Sequence, residues 1–186
     1  MKVTPLELPE VLLIDLRVFG DPRGWFVETW QAERYAAAGV PSGFVQDNAA
    51  YSQRGVLRGL HAQHPHDQGK LIQVLRGEIY DVAVDIRRGS PTFGRWVGMR
   101  LNGDTPQQLW IPPGFAHGYC VLSDEALFTY KCTDYYHPQT QFSVRWDDPA
   151  IGIDWPLEAA PILADKDRDA PTLGETPADR LPSYRG

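Results

Sequence analysis

The run Arg58-Gly59-Leu60-His61-Ala62-Gln63, with Lys70 nine residues after His61, places a guanidinium, an imidazole and an ammonium within one short segment. That set suits proton abstraction beside a carbonyl. A neutral histidine takes the proton, and a cation stabilises the oxyanion that results. Arg58 and Lys70 are expected to depress the pKa of His61 and keep its ring neutral near pH 7. A carboxylate is then needed to orient the ring and support its charge, and spacing alone does not choose one.

Histidines in a small β-rich chain also raise the question of a metal. Pro112-Pro113-Gly114-Phe115-Ala116-His117 resembles the P-x-G-x-x-H element of cupin barrels, whose histidine is often a ligand. The companion cupin element normally supplies two histidines one residue apart and then a glutamate. Here that stretch offers His61 and Gln63, and Lys70 stands about where the glutamate would be. An ammonium has no lone pair to donate and repels a cation. His64 and His66 remain, beside Pro65 in a loop-like stretch. The expectation is a cupin-like barrel without a metal.

The elements that must hold these groups are mostly strands. Leu12–Phe19 reads as a first strand, ended by Gly20-Asp21-Pro22, and Arg23–Glu28 as its continuation. One helix is expected from Trp30 to Ala38, with Thr29 as its cap and Gly39 at its end. Beyond Phe44 the pattern is nearly all strand. In Glu78–Ile86, Tyr80, Val82, Val84 and Ile86 share one face, and Ile79, Asp81, Ala83 and Asp85 the other. Further strands are expected at Trp96–Leu101, Gln108–Ile111, His117–Leu122 and Leu127–Thr133, with Ser123-Asp124-Glu125 as a hairpin turn. Short, evenly spaced strands predict a mainly β sandwich or barrel. The barrel core is placed at about 44–146, and the proline-rich stretch 147–186 as an irregular tail folding back over it, in one domain.

Composition narrows the function classes. The chain has 186 residues, 42% hydrophobic and 23% charged, with a formal net charge of −6. No basic excess exists to neutralise phosphate backbones, so nucleic acid is not an expected partner. No apolar run has the length of a membrane span, and the N-terminus has no apolar signal core, which points to the cytoplasm. Pro5 and Pro9 suggest an extended N-terminal arm. Cys120 and Cys132 read as buried thiols in a reducing compartment.

Six linked motifs then carry a specific resemblance. They are Asp21-x-Arg23-Gly24-x-Phe26-x-Glu28; Gln46-Asp47-Asn48; Gly55 through His61 with Gln68-x-Lys70-Leu71; Trp110 through Gly118; Tyr130-Lys131-x-Thr133-x-Tyr135-Tyr136; and Asp148-Pro149 through Asp165-Lys166-Asp167. In this order and spacing, over roughly residues 10 to 173, the chain resembles the dTDP-4-dehydrorhamnose 3,5-epimerase family. The resemblance implies a cupin-type jelly roll that works as a homodimer without cofactor or metal. It implies epimerisation at C3 and C5 of a dTDP-linked 4-keto-6-deoxyhexose, where the ketone acidifies both neighbouring C–H bonds.

By the same resemblance His61 is the base, Asp167 orients it, Tyr130 is the acid, and Lys70 faces the enolate oxygen. Arg23, Glu28, Gln46, Asp47, Asn48, Arg58, His117 and Lys166 form the binding set, and Tyr136 is an aromatic shelf for the thymine. Gln141 stands where the family usually has a ligand-contacting glutamate, and Ala50 where a serine is common. These departures bear on substrate preference rather than on reaction class. Other readings share part of the motif set: a 3- or 5-epimerase of another deoxysugar, a metal cupin needing a third ligand beside His61 and His117, and a sugar-binding cupin without activity.

Overall fold

A computed structural model describes residues 1–185. Two antiparallel sheets face one another as a jelly roll. The first is six-stranded and is built from β1 (Lys2–Pro5), β2 (Leu12–Asp15), β5 (Gln46–Gln53), β7 (Lys70–Arg76), β10 (Gln107–Ile111) and β12 (Glu125–Cys132), in the order β1-β2-β10-β7-β12-β5. The second is five-stranded, from β6 (Leu57–Gln63), β8 (Glu78–Asp85), β9 (Trp96–Asn102), β11 (Phe115–Val121) and β13 (Gln141–Ser143), in the order β13-β6-β11-β8-β9. A separate hairpin of β3 (Val18–Asp21) and β4 (Gly24–Val27) pairs with neither sheet. No helix among the described residues is long and apolar enough to cross a membrane.

Period-two alternation decides what faces the space between the sheets. Ile72 and Val74 of β7, Ala126 and Phe128 of β12, and Ile79 and Ala83 of β8 meet there in the main core. The opposite face of the five-stranded sheet is also dry. Leu60, Val82, Val84 and Ile86 pack against Ile151, Leu173 and Leu181, which belong to the tail. The tail is tied down by its backbone: Leu57 donates to the carbonyl of Ile162, Ile162 to that of Gly55, and Arg145 to that of Pro171. Burying that apolar face holds the irregular tail in place and fixes the short helix α2 (Asp165–Arg168) beside β6.

Several sequence-level expectations need correction. The first strand is two, because the chain leaves the six-stranded sheet at Leu16 and Arg17 before entering the hairpin. The helix α1 is shorter, Ala32–Ala37, and its cap is Gln31, whose side chain accepts from the Arg34 amide, rather than Thr29. Ser123-Asp124-Glu125 is not a hairpin turn, since β11 and β12 lie in different sheets and the segment crosses between them. Its Ser123 hydroxyl anchors that crossing, accepting from the Glu78 amide and donating to the Glu125 carbonyl. The extended N-terminal arm is present as β1, paired with β2 from Lys2↔Asp15 to Pro5↔Leu12.

Candidate active site

A cavity of about 350 Å³ opens between the two sheets at one end of the sandwich. His61 and His117 come from the five-stranded sheet, where β6 and β11 pair them directly across the ladder. Lys70, Tyr130 and Asn48 come from the facing sheet, on β7, β12 and β5. The candidate base and the candidate acid therefore stand on opposite walls.

Next to His61 the β6–β11 ladder is irregular, and Gly59 is the reason it can be so. Its φ is +119°, a conformation side chains rarely adopt. A Cβ there would lie 2.5 Å from the Gly118 Cα and 2.7 Å from the His117 carbonyl oxygen. The freed Gly59 amide donates to Asp167 Oδ2 at 3.3 Å. Thus the glycine that lets two backbones touch also seats the carboxylate.

Asp167 is 1% exposed, and its Oδ1 lies 2.6 Å from His61 Nε2. The Ser143 hydroxyl donates to the same oxygen at 3.3 Å. Burial pushes the Asp167 pKa up, but the His61 hydrogen bond, its charge and the Gly59 amide outweigh this and hold it below the usual carboxylate value. An ionised carboxylate only accepts, so the proton of this pair sits on Nε2 and Nδ1 keeps a lone pair. The pKa of His61 is lowered, as expected, although the cause differs. Burial leads, Lys166 and His117 add to it, and the Asp167 hydrogen bond opposes it. Arg58 and Lys70 are not among the causes.

On the opposite wall, burial pushes the Tyr130 phenol up to about 12 and so keeps it protonated. Lys70 is buried at the end of β7, and burial lowers its pKa. Its ammonium makes no side-chain hydrogen bond among the described residues, which leaves its donors for a ligand oxygen. Arg58 lines the cavity, with its guanidinium donating to Ser52 Oγ at 3.2 Å.

Gln46, Lys166, Tyr136 and Gln141 also line the cavity, and the Tyr136 hydroxyl donates to Gln141 Oε1 at 2.9 Å. Ala50 lies on the wall as well. Three sequence-predicted residues stand elsewhere in the single chain. Asp47 points to the outer face and pairs with Lys131 at 3.0 Å, because alternation along β5 turns Gln46 and Asn48 inward and Asp47 outward. Arg23 sits on the β3–β4 hairpin, 89% exposed and folded onto Asp21. Glu28 pairs with Arg34 near the same hairpin.

The structure adds partners that the motifs did not assign. Asp81, fully buried on β8, has its two carboxylate oxygens 2.9 and 3.0 Å from His117 Nε2. Alternation puts Asp81 on one face with Ile79, Ala83 and Asp85, but neither the inward side nor the partner follows from it. Tyr119 stands on the cavity wall with its hydroxyl 3.1 Å from Ser52 Oγ. Gln63 also lines the cavity and ties two loops together, its amide bonding the His66 carbonyl in one and the Tyr135 and His137 backbone in the other.

Comparison with known proteins gives a consistent result. The family profile for dTDP-4-dehydrorhamnose 3,5-epimerase matches residues 5–175. A dTDP-4-dehydrorhamnose 3,5-epimerase of Pseudomonas aeruginosa is 51% identical over 183 residues, covering 98% of this chain and 100% of its own. The crystal structure of a dTDP-6-deoxy-D-glucose-3,5-epimerase from Legionella pneumophila, in complex with dTDP-4-keto-L-rhamnose, superposes with a TM-score of 0.97 at 51% identity. It covers 100% of this chain and 99% of that one. A 4-keto-6-deoxy sugar epimerase from the novobiocin gene cluster of Streptomyces spheroides aligns with a TM-score of 0.93 at 39% identity, over 99% of this chain and 94% of its own.

Proposed function

Because the chain belongs to the dTDP-4-dehydrorhamnose 3,5-epimerase family, we propose that it converts dTDP-4-dehydro-6-deoxy-D-glucose to dTDP-4-dehydro-L-rhamnose, in dTDP-L-rhamnose biosynthesis. The observation that carries the reading is the His61–Asp167 pair on one wall, facing Tyr130 and Lys70 on the other. His61 Nδ1 takes the proton from the carbon beside the C4 ketone, and Asp167 supports the imidazolium that forms. Negative charge moves to the C4 oxygen, where the Lys70 ammonium stabilises it. One such contact is worth about 3 kcal/mol of barrier. Tyr130 returns a proton from the opposite face, which inverts the centre. The ketone activates C3 and C5 alike, so the same residues serve both carbons in turn.

Arg58 and Lys166 meet the charge of the diphosphate. Gln46, Asn48, His117 and Gln141 hold the sugar and nucleotide, and Tyr136 supplies the aromatic shelf. The whole chain acts as one epimerase unit, since the tail contributes Asp167 and Lys166. The active form is a homodimer in which the β3–β4 hairpin of one subunit reaches the cavity of its partner, bringing Arg23 and Glu28 to it. Support comes from that hairpin's detachment from both sheets and its exposed Phe19, Trp25 and Phe26. Buried, unpaired Cys120 and Cys132 fit a reducing, cytoplasmic setting.

Incubation of dTDP-4-keto-6-deoxyglucose with enzyme in heavy water tests the proposal. Deuterium is expected at both C3 and C5 of the inverted product, and His61→Ala should abolish both exchanges. Label at C3 alone would reduce the assignment to a 3-epimerase. No exchange at either carbon would overturn the enzymatic reading.

A further inference from the structure

At the rim of the cavity, outside the acid–base set, two histidines and an aspartate converge from two loops. His66 lies between β6 and β7, and Asp134 and His137 follow β12. One ligand atom from each lies within 4.8 Å of the others. The His66 Nδ1 is 3.3 Å from Asp134 Oδ2, and the His66 and His137 rings stack with centroids 4.0 Å apart. The lone pairs of imidazole nitrogens lie in the ring planes, so binding one tetrahedral zinc-class ion at roughly 2 Å requires the two stacked rings to rotate out of parallel. Two imidazoles and one carboxylate suit that class, whereas calcium and magnesium ask for oxygen ligands.

Two further features set this trio apart from an incidental surface cluster. His66 is the non-glycine residue among those described with a left-handed backbone, at φ +78°. The backbones of both loops are also held by one buried side chain. Gln63 donates from Nε2 to the His66 and Tyr135 carbonyls, at 2.5 and 3.0 Å, and accepts from the His137 amide on Oε1 at 2.7 Å. A second layer that fixes ligand-bearing backbone is what preorganises a metal site. Asp134 and His66 stay accessible, with side chains 34% and 47% exposed, so an ion can reach them.

We infer that His66, Asp134 and His137 form a binding site for one divalent transition-metal ion of the zinc class, at the cavity rim and separate from the acid–base residues. Such an ion would bridge the 64–69 loop to the loop carrying Tyr136. It takes no part in proton transfer, so the site stands or falls independently of the proposed reaction. The test is calorimetric titration of Zn²⁺ into the full-length, chelator-treated protein, with Co²⁺ absorption as a second readout of tetrahedral geometry. One ion per chain is expected. His66→Ala, His137→Ala and Asp134→Asn should each weaken binding at least about tenfold, and His64→Ala should leave it unchanged. Thermal melting of each variant establishes that it is folded. Absence of binding, binding that survives all three substitutions, or equal affinity for Mg²⁺ would overturn the inference.

Discussion

Replacing Asp167 by asparagine removes a charge and keeps the shape. In the native site the Asp167 Oδ1 lies 2.6 Å from His61 Nε2, in a position 1% exposed to solvent. When His61 takes a proton, this carboxylate faces a full positive charge. Opposite charges about 4 Å apart attract by about 4 kcal/mol at an effective dielectric of about 20. An amide oxygen retains a neutral hydrogen bond, so about 2–4 kcal/mol of that stabilisation is lost and kcat should fall about 30- to 1000-fold. The pH profile supplies a second, independent readout. The base must be neutral, so kcat/KM rises as pH passes up through the His61 pKa. Burial already places that pKa below the ordinary histidine value, with the Asp167 hydrogen bond and charge opposing the shift. Removing the charge lowers it further, so the acidic limb should move to lower pH while the plateau drops. Initial rates with dTDP-4-keto-6-deoxyglucose from pH 5 to 9, alongside deuterium exchange, measure both effects. A loss of less than about threefold, or a limb displaced to higher pH, would refute the role given to the pair.

Tyr130→Phe should retain part of the C3 and C5 exchange while losing inversion, because a proton can return from the His61 side but not from the opposite wall; equal loss of both would count against it. With the phenol pushed up to about 12, the acid stays protonated over the working range. Activity should therefore show no basic limb from this group below about pH 11. Gly59→Ala should cost about 3 kcal/mol or more in denaturant titration, since the new Cβ meets Gly118 and the His117 carbonyl, both backbone. Gly24→Ala, also left-handed but with nothing within 4 Å, should cost only about 1 kcal/mol. Replacing Trp25 and Phe26 with aspartates should convert dimer to monomer in light scattering and depress activity; a monomeric wild-type protein at micromolar concentration would sink the hairpin-exchange reading.

The sequence by itself carried the chemistry and the alternation. His61 and Lys70 stand out by side-chain type and spacing, Tyr130 enters only through the family resemblance, and period two puts Asp81 and Asp85 on one face of β8 without telling which face is inward. Local pattern is enough for this much because it acts over a few residues. Contacts between residues distant in the chain needed more than local pattern. The family resemblance paired Asp167 with His61, 106 residues away, but nothing periodic in the tail itself points to that contact. Only the burial of Ile151, Leu173 and Leu181 against the five-stranded sheet brings that tail home. Cations near in sequence are not what lowers the His61 pKa; burial dominates, and burial belongs to the assembled sandwich. Asp47 sat inside a recognised motif, but the register of β5 with β12 turned it outward. The pairing of Asp81 with His117, and the meeting of His66 with Asp134 and His137, likewise join segments whose closeness no spacing encodes. Tertiary packing makes those contacts, because dry, opposed sheet faces fix which strands become neighbours.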